Sequence, residues 1–205
     1  MIRLAILLAC LATGVSAAET LHVFTWADYI NPDLVKRFEK EHQCRVVIDT
    51  FDSNEAMYAR LKAGASGYDL IFPSSYIIPL MARQDMLQPL DHAQLANLKN
   101  VDPEVLGKVA DGAMKHSVPY TFGYAVIAYR KDKVKDIEPA WKTFARADLK
   151  KRVTLLNDMR ETIGAALKSL GCSLNTRDEK ELAGARDVLI AWKRNIAKFD
   201  NEGYK

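Results

Sequence analysis

Three short segments hold the side chains best suited to chemistry. Trp26-Ala27-Asp28-Tyr29, Pro73-Ser74-Ser75-Tyr76 and Asn157-Asp158-Met159-Arg160-Glu161 each follow an apolar, strand-like run. Together they supply three aromatic rings, three carboxylates and two hydroxyls. That mixture suits a cationic alkyl amine. An ammonium over a Trp or Tyr face gains about 0.5–2 kcal/mol by cation–π attraction. Hydrogen bonds from an ammonium to a carboxylate are charge-assisted and about twice as strong as neutral ones. Aromatic walls also pack the methylenes between amines.

Each piece has a simpler reading as well. Asp158 and Glu161, three residues apart, fit a capping box. Asp28 fits the start of the turn before Asn31-Pro32. Tyr29 and Tyr76 fit packing roles, and Ser74 and Ser75 fit caps of the next helix. Trp26, a large aromatic in a polar loop, needs a partner. Asp52-Ser53-Asn54-Glu55 reads as a helix cap and lies outside the candidate set. Signatures of catalysis or cofactor binding are missing from the sequence: there is no Gly-rich phosphate loop, no G-x-S-x-G elbow, no H-E-x-x-H and no C-x-x-C. The four His are scattered, so neither a metal nor a cofactor is expected.

The elements that must position these segments alternate. Residues 21–25 form an apolar strand run. Asn31-Pro32 then gives an N-cap and a first-turn Pro for a helix ending near His42, with Leu34, Val35 and Phe38 on its buried face. A strand over 45–51, a helix carrying Met57, Tyr58 and Leu61, a strand over 68–72 and a short helix to about Arg83 complete a first unit. Strand–helix alternation of this kind implies right-handed crossovers and a parallel sheet, with helices on both faces. In such sheets ligands bind outside the carboxyl ends of the strands, where all three segments fall. Residues 116–130 are long, extended and aromatic, as expected of a crossover between lobes. A second unit follows, with a strand over 152–156 and a helix carrying Ile163, Ala166, Leu167 and Leu170 that ends at Gly171. Its last helix is capped by Thr176-Arg177-Asp178-Glu179 and buries Leu182, Ala185, Val188, Leu189 and Trp192.

Composition narrows the class. The 205 residues are 49% hydrophobic, 27% charged and 9% aromatic, which excludes a disordered chain, a collagen-like repeat and a disulfide miniprotein. The net charge of +3 is interspersed, without the basic stripe that nucleic-acid binding wants. Residues 1–17 read as a signal peptide: Arg3, an apolar stretch too short to span a bilayer, and Val15-Ser16-Ala17 before the cleavage point. Leu7-Leu8-Ala9-Cys10 resembles a lipoprotein box, but cleavage there leaves a signal of only nine residues. Cys44 and Cys172 read as small buried hydrophobes, or less readily as a pair.

On these residues a resemblance stands out. Phe24-Thr25-Trp26-Ala27-Asp28-Tyr29-Ile30, Phe51-Asp52-Ser53-Asn54-Glu55, Tyr68-Asp69-Leu70-Ile71-Phe72-Pro73-Ser74-Ser75-Tyr76, Leu87-Gln88-Pro89-Leu90-Asp91, Val118-Pro119-Tyr120 and Asp158-Met159-Arg160-Glu161 occur in order and at spacings that resemble the amino-terminal part of periplasmic spermidine/putrescine-binding proteins, the solute receptors of polyamine ABC importers. The resemblance implies an α/β, two-lobed periplasmic-binding-protein fold (type II), with a first lobe over 18–115, a crossover over 116–130 and a partial second lobe over 131–205. It implies non-catalytic capture of putrescine or spermidine by cleft closure, in the periplasm, by a monomer that serves an inner-membrane ABC permease. The ligand contacts it implies are Trp26, Asp28, Tyr29, Ser75, Tyr76, Asp158 and Glu161. Receptors of this family are longer, so both lobes read as incomplete. A polyamine sensor acting on a membrane receptor shares every one of these residues. An exported enzyme on the same scaffold needs a nucleophile–base pair that the sequence does not display.

Overall fold

The computed structural model describes residues 18–201. The expected signal over residues 1–17, with Cys10, lies outside them. In chain order the main elements are β1 (Thr20–Trp26), α1 (Pro32–His42), β2 (Arg45–Phe51), α2 (Asn54–Lys62), β3 (Leu70–Ile71), α3 (Ile78–Ala82), α4 (Pro103–Leu106), β4 (Val153–Leu155), α5 (Met159–Ser169), α6 (Glu179–Trp192) and β5 (Ile196–Phe199). They divide into two compact units, one of residues 18–51 and 64–72, the other of residues 52–63 and 73–201. Among the described residues no helix is long and apolar enough to cross a membrane.

The first unit is a parallel sheet of order β2-β1-β3. β1 and β2 pair from Thr20↔Arg45 to Trp26↔Phe51. Parallel neighbours need a crossover, and α1 supplies it. Asn31 caps α1 by accepting the Asp33 N–H at 2.9 Å, and Pro32 takes the first helical position, as the Asn-Pro pair predicts. The core is aromatic: Phe24, 1% exposed, stacks on Tyr68 at 4.6 Å and meets Phe51 edge-on at 4.9 Å.

Two expectations change in this unit. The strand expected over 68–72 narrows to Leu70–Ile71; at its start the Asp69 carboxylate, and not a backbone carbonyl, accepts the His22 N–H at 2.7 Å. The apolar stripe of α1 is only partly covered. Leu34 is 53% and Phe38 41% exposed, and Val35 is half-buried. Among the described residues α1 is the one helix of this unit, and it packs on the edge strand β2, which offers little surface.

In the second unit α5, α6, β4 and β5 share one core built around Leu155, Ala166, Leu167, Ala185, Trp192 and Ile196. Trp192 is 2% exposed and meets Phe144 edge-on at 5.4 Å. β4 and β5 run parallel, with an irregularity after Val153. Asn195 stitches this region to the preceding loop: its side-chain amide donates to the carbonyls of Phe144 at 2.7 Å and Arg146 at 2.8 Å. The cap of α6 is Asp178 and not Thr176, since one carboxylate oxygen reaches the N–H groups of both Lys180 and Glu181. Leu182 and Leu170, expected in the buried stripes, are exposed; Leu170 falls beyond the end of α5, where Gly171 turns into the left-handed region at φ 77°. Residues 118–130 form no regular element. Cys44 and Cys172 are free thiols and only half-buried.

Trp192→Ala is expected to lower stability by about 3–5 kcal/mol, the cost of an aromatic-sized cavity. Urea unfolding of the full chain, with an unchanged slope and a lower midpoint, checks this.

Candidate functional site

Within the first unit, Trp26 ends β1 beside its register neighbour Phe51, with ring centroids 4.6 Å apart. Residues 27–28 then make a turn in which Asp28 takes the left-handed conformation at φ 59°. Aspartate tolerates that region better than most residues. The turn brings Tyr29, 48% exposed, back to 6.2 Å from the Trp26 ring. Asp28 therefore does form the turn, and the same turn presents its carboxylate on the surface beside two neighbouring rings.

Within the second unit the structure brings Tyr76, Asp158 and Glu161 near residues that spacing alone does not single out, while Ser75 meets Ala110. Asn54, fully buried, donates through Nδ2 to Ser74 Oγ at 3.1 Å and accepts the Ser74 N–H on Oδ1 at 2.8 Å. The Ser74 hydroxyl thus makes no cap bond to the following turn. Ser75 Oγ accepts the Ala110 N–H at 3.4 Å. The Tyr76 hydroxyl donates to Glu55 Oε1 at 3.1 Å, while the Arg160 guanidinium lies 4.8 Å from the centre of its ring. That guanidinium is also fixed by a 2.5 Å hydrogen bond to Asn175 Oδ1. Asp158 caps α5, its Oδ1 accepting the Glu161 N–H at 2.9 Å. The capping role read from the sequence is therefore real, and that bond engages only one of the two carboxylate oxygens.

The sequence pattern makes Asn54 and Glu55 parts of a cap. In the structure Ser53 alone makes that cap, accepting the Ala56 N–H, which releases Glu55 to reach Tyr76. Asn201 is a further member. Its side chain accepts the Asn157 N–H at 2.9 Å and donates to the Asp52 carbonyl at 2.7 Å, tying the start of α2 to the end of β4. No local pattern announces a bond spanning 149 residues.

Burial, then the charge and hydrogen bond of Glu55, and then the charge of Asp158 push the Tyr76 phenol well above its ordinary range, so it is a permanent donor at neutral pH. Partial burial and then the Asp158 charge raise the Glu161 carboxyl; Arg160 opposes them. An added cation opposes shifts of this kind. A separate hollow of about 690 Å³ beside Asp136, Glu138, Lys142 and Arg146 has paired charges at its wall, Lys142 with Glu138 and Arg146 with Asp148, both at 2.9 Å. It contains none of the candidate residues.

Known proteins share this chain's pattern. Residues 25–158 match the bacterial extracellular solute-binding protein family. The spermidine/putrescine-binding periplasmic protein of Salmonella typhimurium is 38% identical over 200 residues, covering 94% of this chain and 57% of that protein. The putrescine/cadaverine-binding protein of Pseudomonas aeruginosa is 38% identical over 214 residues, covering 100% of this chain and 60% of that protein. Among solved structures, a lipoprotein of Treponema pallidum superposes with a TM-score of 0.84 at 40% identity, over 91% of this chain and 59% of that one. The α/β architecture is that of these binding proteins, and the chain spans somewhat under two thirds of their length.

The raised Glu161 carboxyl carries a stability sign. Its proton is held more tightly in the folded state, so stability falls as pH rises from the ordinary value of 4.5 through the raised one. Glu161→Gln is expected to be slightly more stable than wild type at pH 7, by less than about 1 kcal/mol at this exposed position. The difference should shrink toward pH 4, where the glutamate becomes largely neutral. Thermal unfolding across that range checks this.

Proposed function

The chain belongs to the bacterial extracellular solute-binding protein family, and on that footing we propose that it captures a polyamine outside the cytoplasmic membrane, without catalysis. The ligand is a putrescine- or spermidine-like alkyl amine, and the bound protein, a monomer, hands it to an ABC permease. The observation that carries this reading is the Arg160 guanidinium over the Tyr76 ring. That ring already attracts a cation, in a setting where Glu55, Asp158 and Glu161 act on the same small group of side chains. An ammonium is drawn by the same forces, the ring quadrupole and charge-assisted hydrogen bonds to carboxylates. The rings of Trp26 and Tyr29 are of the type that packs the methylenes between amines, and Asp28 beside them offers a further carboxylate. Ser75 adds a hydroxyl next to Tyr76. The names of the relatives support the same ligand class.

Calorimetric titration of the full chain with putrescine and with spermidine tests the proposal. Wild type is expected to bind at least one of them. Asp158→Asn should weaken that binding tenfold or more at nearly unchanged stability, since Asn caps a helix as well as Asp does. Trp26→Ala should weaken it comparably. No binding by wild type overturns the reading, and binding indifferent to both substitutions overturns this choice of contacts.

A further inference from the structure

Asn201 joins two groups of side chains without belonging to either. One group stands at the start of α2. Asn54 holds Ser74 by two hydrogen bonds and Glu55 accepts the Tyr76 hydroxyl, so the first turn of α2 and the turn after β3 are fixed to one another. The other group is the first turn of α5, with Asp158 and Glu161. Strand register delivers Asn201 to both. β5 runs parallel to β4, and the Asp200 N–H donates to the Leu155 carbonyl at 3.0 Å beyond the paired residues. The next side chain, half-buried, then reaches two ways. Asn201 Oδ1 accepts the Asn157 N–H at 2.9 Å, and its Nδ2 donates to the Asn157 carbonyl at 3.3 Å and to the Asp52 carbonyl at 2.7 Å. Asn157 immediately precedes Asp158, and Asp52 lies just before the α2 turn that carries Glu55. All of these bonds end on main chain, so they fix where the two segments stand and not how one side chain points. A second contact between the groups, the Arg160 guanidinium on the Tyr76 ring, uses the very ring face that an ammonium is drawn to. The Asn201 bonds are neutral and do not compete for that face.

We infer that Asn201 is a positioning residue that sets the separation between the Glu55–Tyr76 group and the Asp158–Glu161 group, and through it the length of diamine the site accepts. The inference rests on the polyamine reading above and deepens it. The number of methylenes sets how far apart two ammonium groups can reach. Recognition groups held at one separation therefore discriminate by length, and loosened ones do not. Losing a neutral hydrogen bond of this kind changes an equilibrium by roughly two- to tenfold. A residue that only stabilised the fold would act otherwise: its loss would weaken every diamine by the same factor.

The test is the spread of dissociation constants across diaminopropane, putrescine, cadaverine and diaminohexane, measured by calorimetry on the full chain for wild type, Asn201→Ala and Asn201→Asp. Wild type should prefer one length. Asn201→Ala should narrow the spread between the best and worst diamine at least about twofold, chiefly by weakening the best. Asn201→Asp keeps an oxygen for the Asn157 N–H and loses the donor to Asp52. Its added charge acts alike on four ligands of equal charge, so the spread should narrow as in Asn201→Ala. Should Asn201→Ala not fold, Asn201→Asp alone decides. A spread as wide in the variants as in wild type, or a wild type that binds all four alike, overturns the inference and leaves the polyamine reading standing. Failure of wild type to bind any of the four, or spermidine, overturns both.

Discussion

The second unit is organised by the two-sided demand of one side chain. Tyr76 is half-buried, and its ends want different partners. The hydroxyl, desolvated by burial, needs an acceptor and finds Glu55; the ring face, rich in π density, finds the Arg160 guanidinium. Glu55 stands in the first turn of α2, Tyr76 in the turn after β3, and Arg160 in the first turn of α5. Satisfying one tyrosine therefore brings three chain segments together. Asn54, next to Glu55 in sequence and bonded twice to Ser74, fixes the same approach with neutral hydrogen bonds. An aromatic without a hydroxyl would fill the space but would not require Glu55, and the acid would lose the contact that orients it.

Capping and the proposed ligand recognition draw on the same chemistry, which is why one helix start can serve both at α5. A helix start offers unpaired N–H groups and positive potential, so it collects acids. Asp158 is placed there by the Glu161 N–H, and that bond orients its carboxylate as any cap would. Glu161 follows in the same turn, close enough that the Asp158 charge raises its carboxyl. Two like charges in one turn are tolerated because the helix dipole and Arg160 offset part of their repulsion. The arrangement is thus incompletely balanced, and in the proposed function an ammonium would complete it.

Much of the fold is legible along the chain, because its signals are local. Asn31-Pro32 sets the start of α1, and the register neighbour that Trp26 needs is Phe51, at the matching end of β2. The residues proposed as contacts lie in turns at strand ends, where parallel-sheet geometry puts ligands. What is not legible depends on contacts between distant segments. Glu55 looks like the closing member of a cap until Ser53 is seen to cap alone, and its partner Tyr76 lies 21 residues away. β5 pairs with β4 across α5 and α6, and no alternation in its four residues distinguishes it from a loop. Arg160 stands in plain view within Asp158-Met159-Arg160-Glu161, yet nothing in spacing tells a solvated arginine from one stacked on a ring.

Stability and recognition pull in opposite directions at this site. A raised carboxyl at Glu161 and a cation in the first turn of α5 each work against the folded state, and the left-handed Asp28 adds to that cost in the first unit. None of the three is needed by the core, whose apolar packing around Trp192 involves other residues. Local features that oppose folding are found preferentially at functional sites. For Asp28 and Glu161 the proposed use is the binding of a cation.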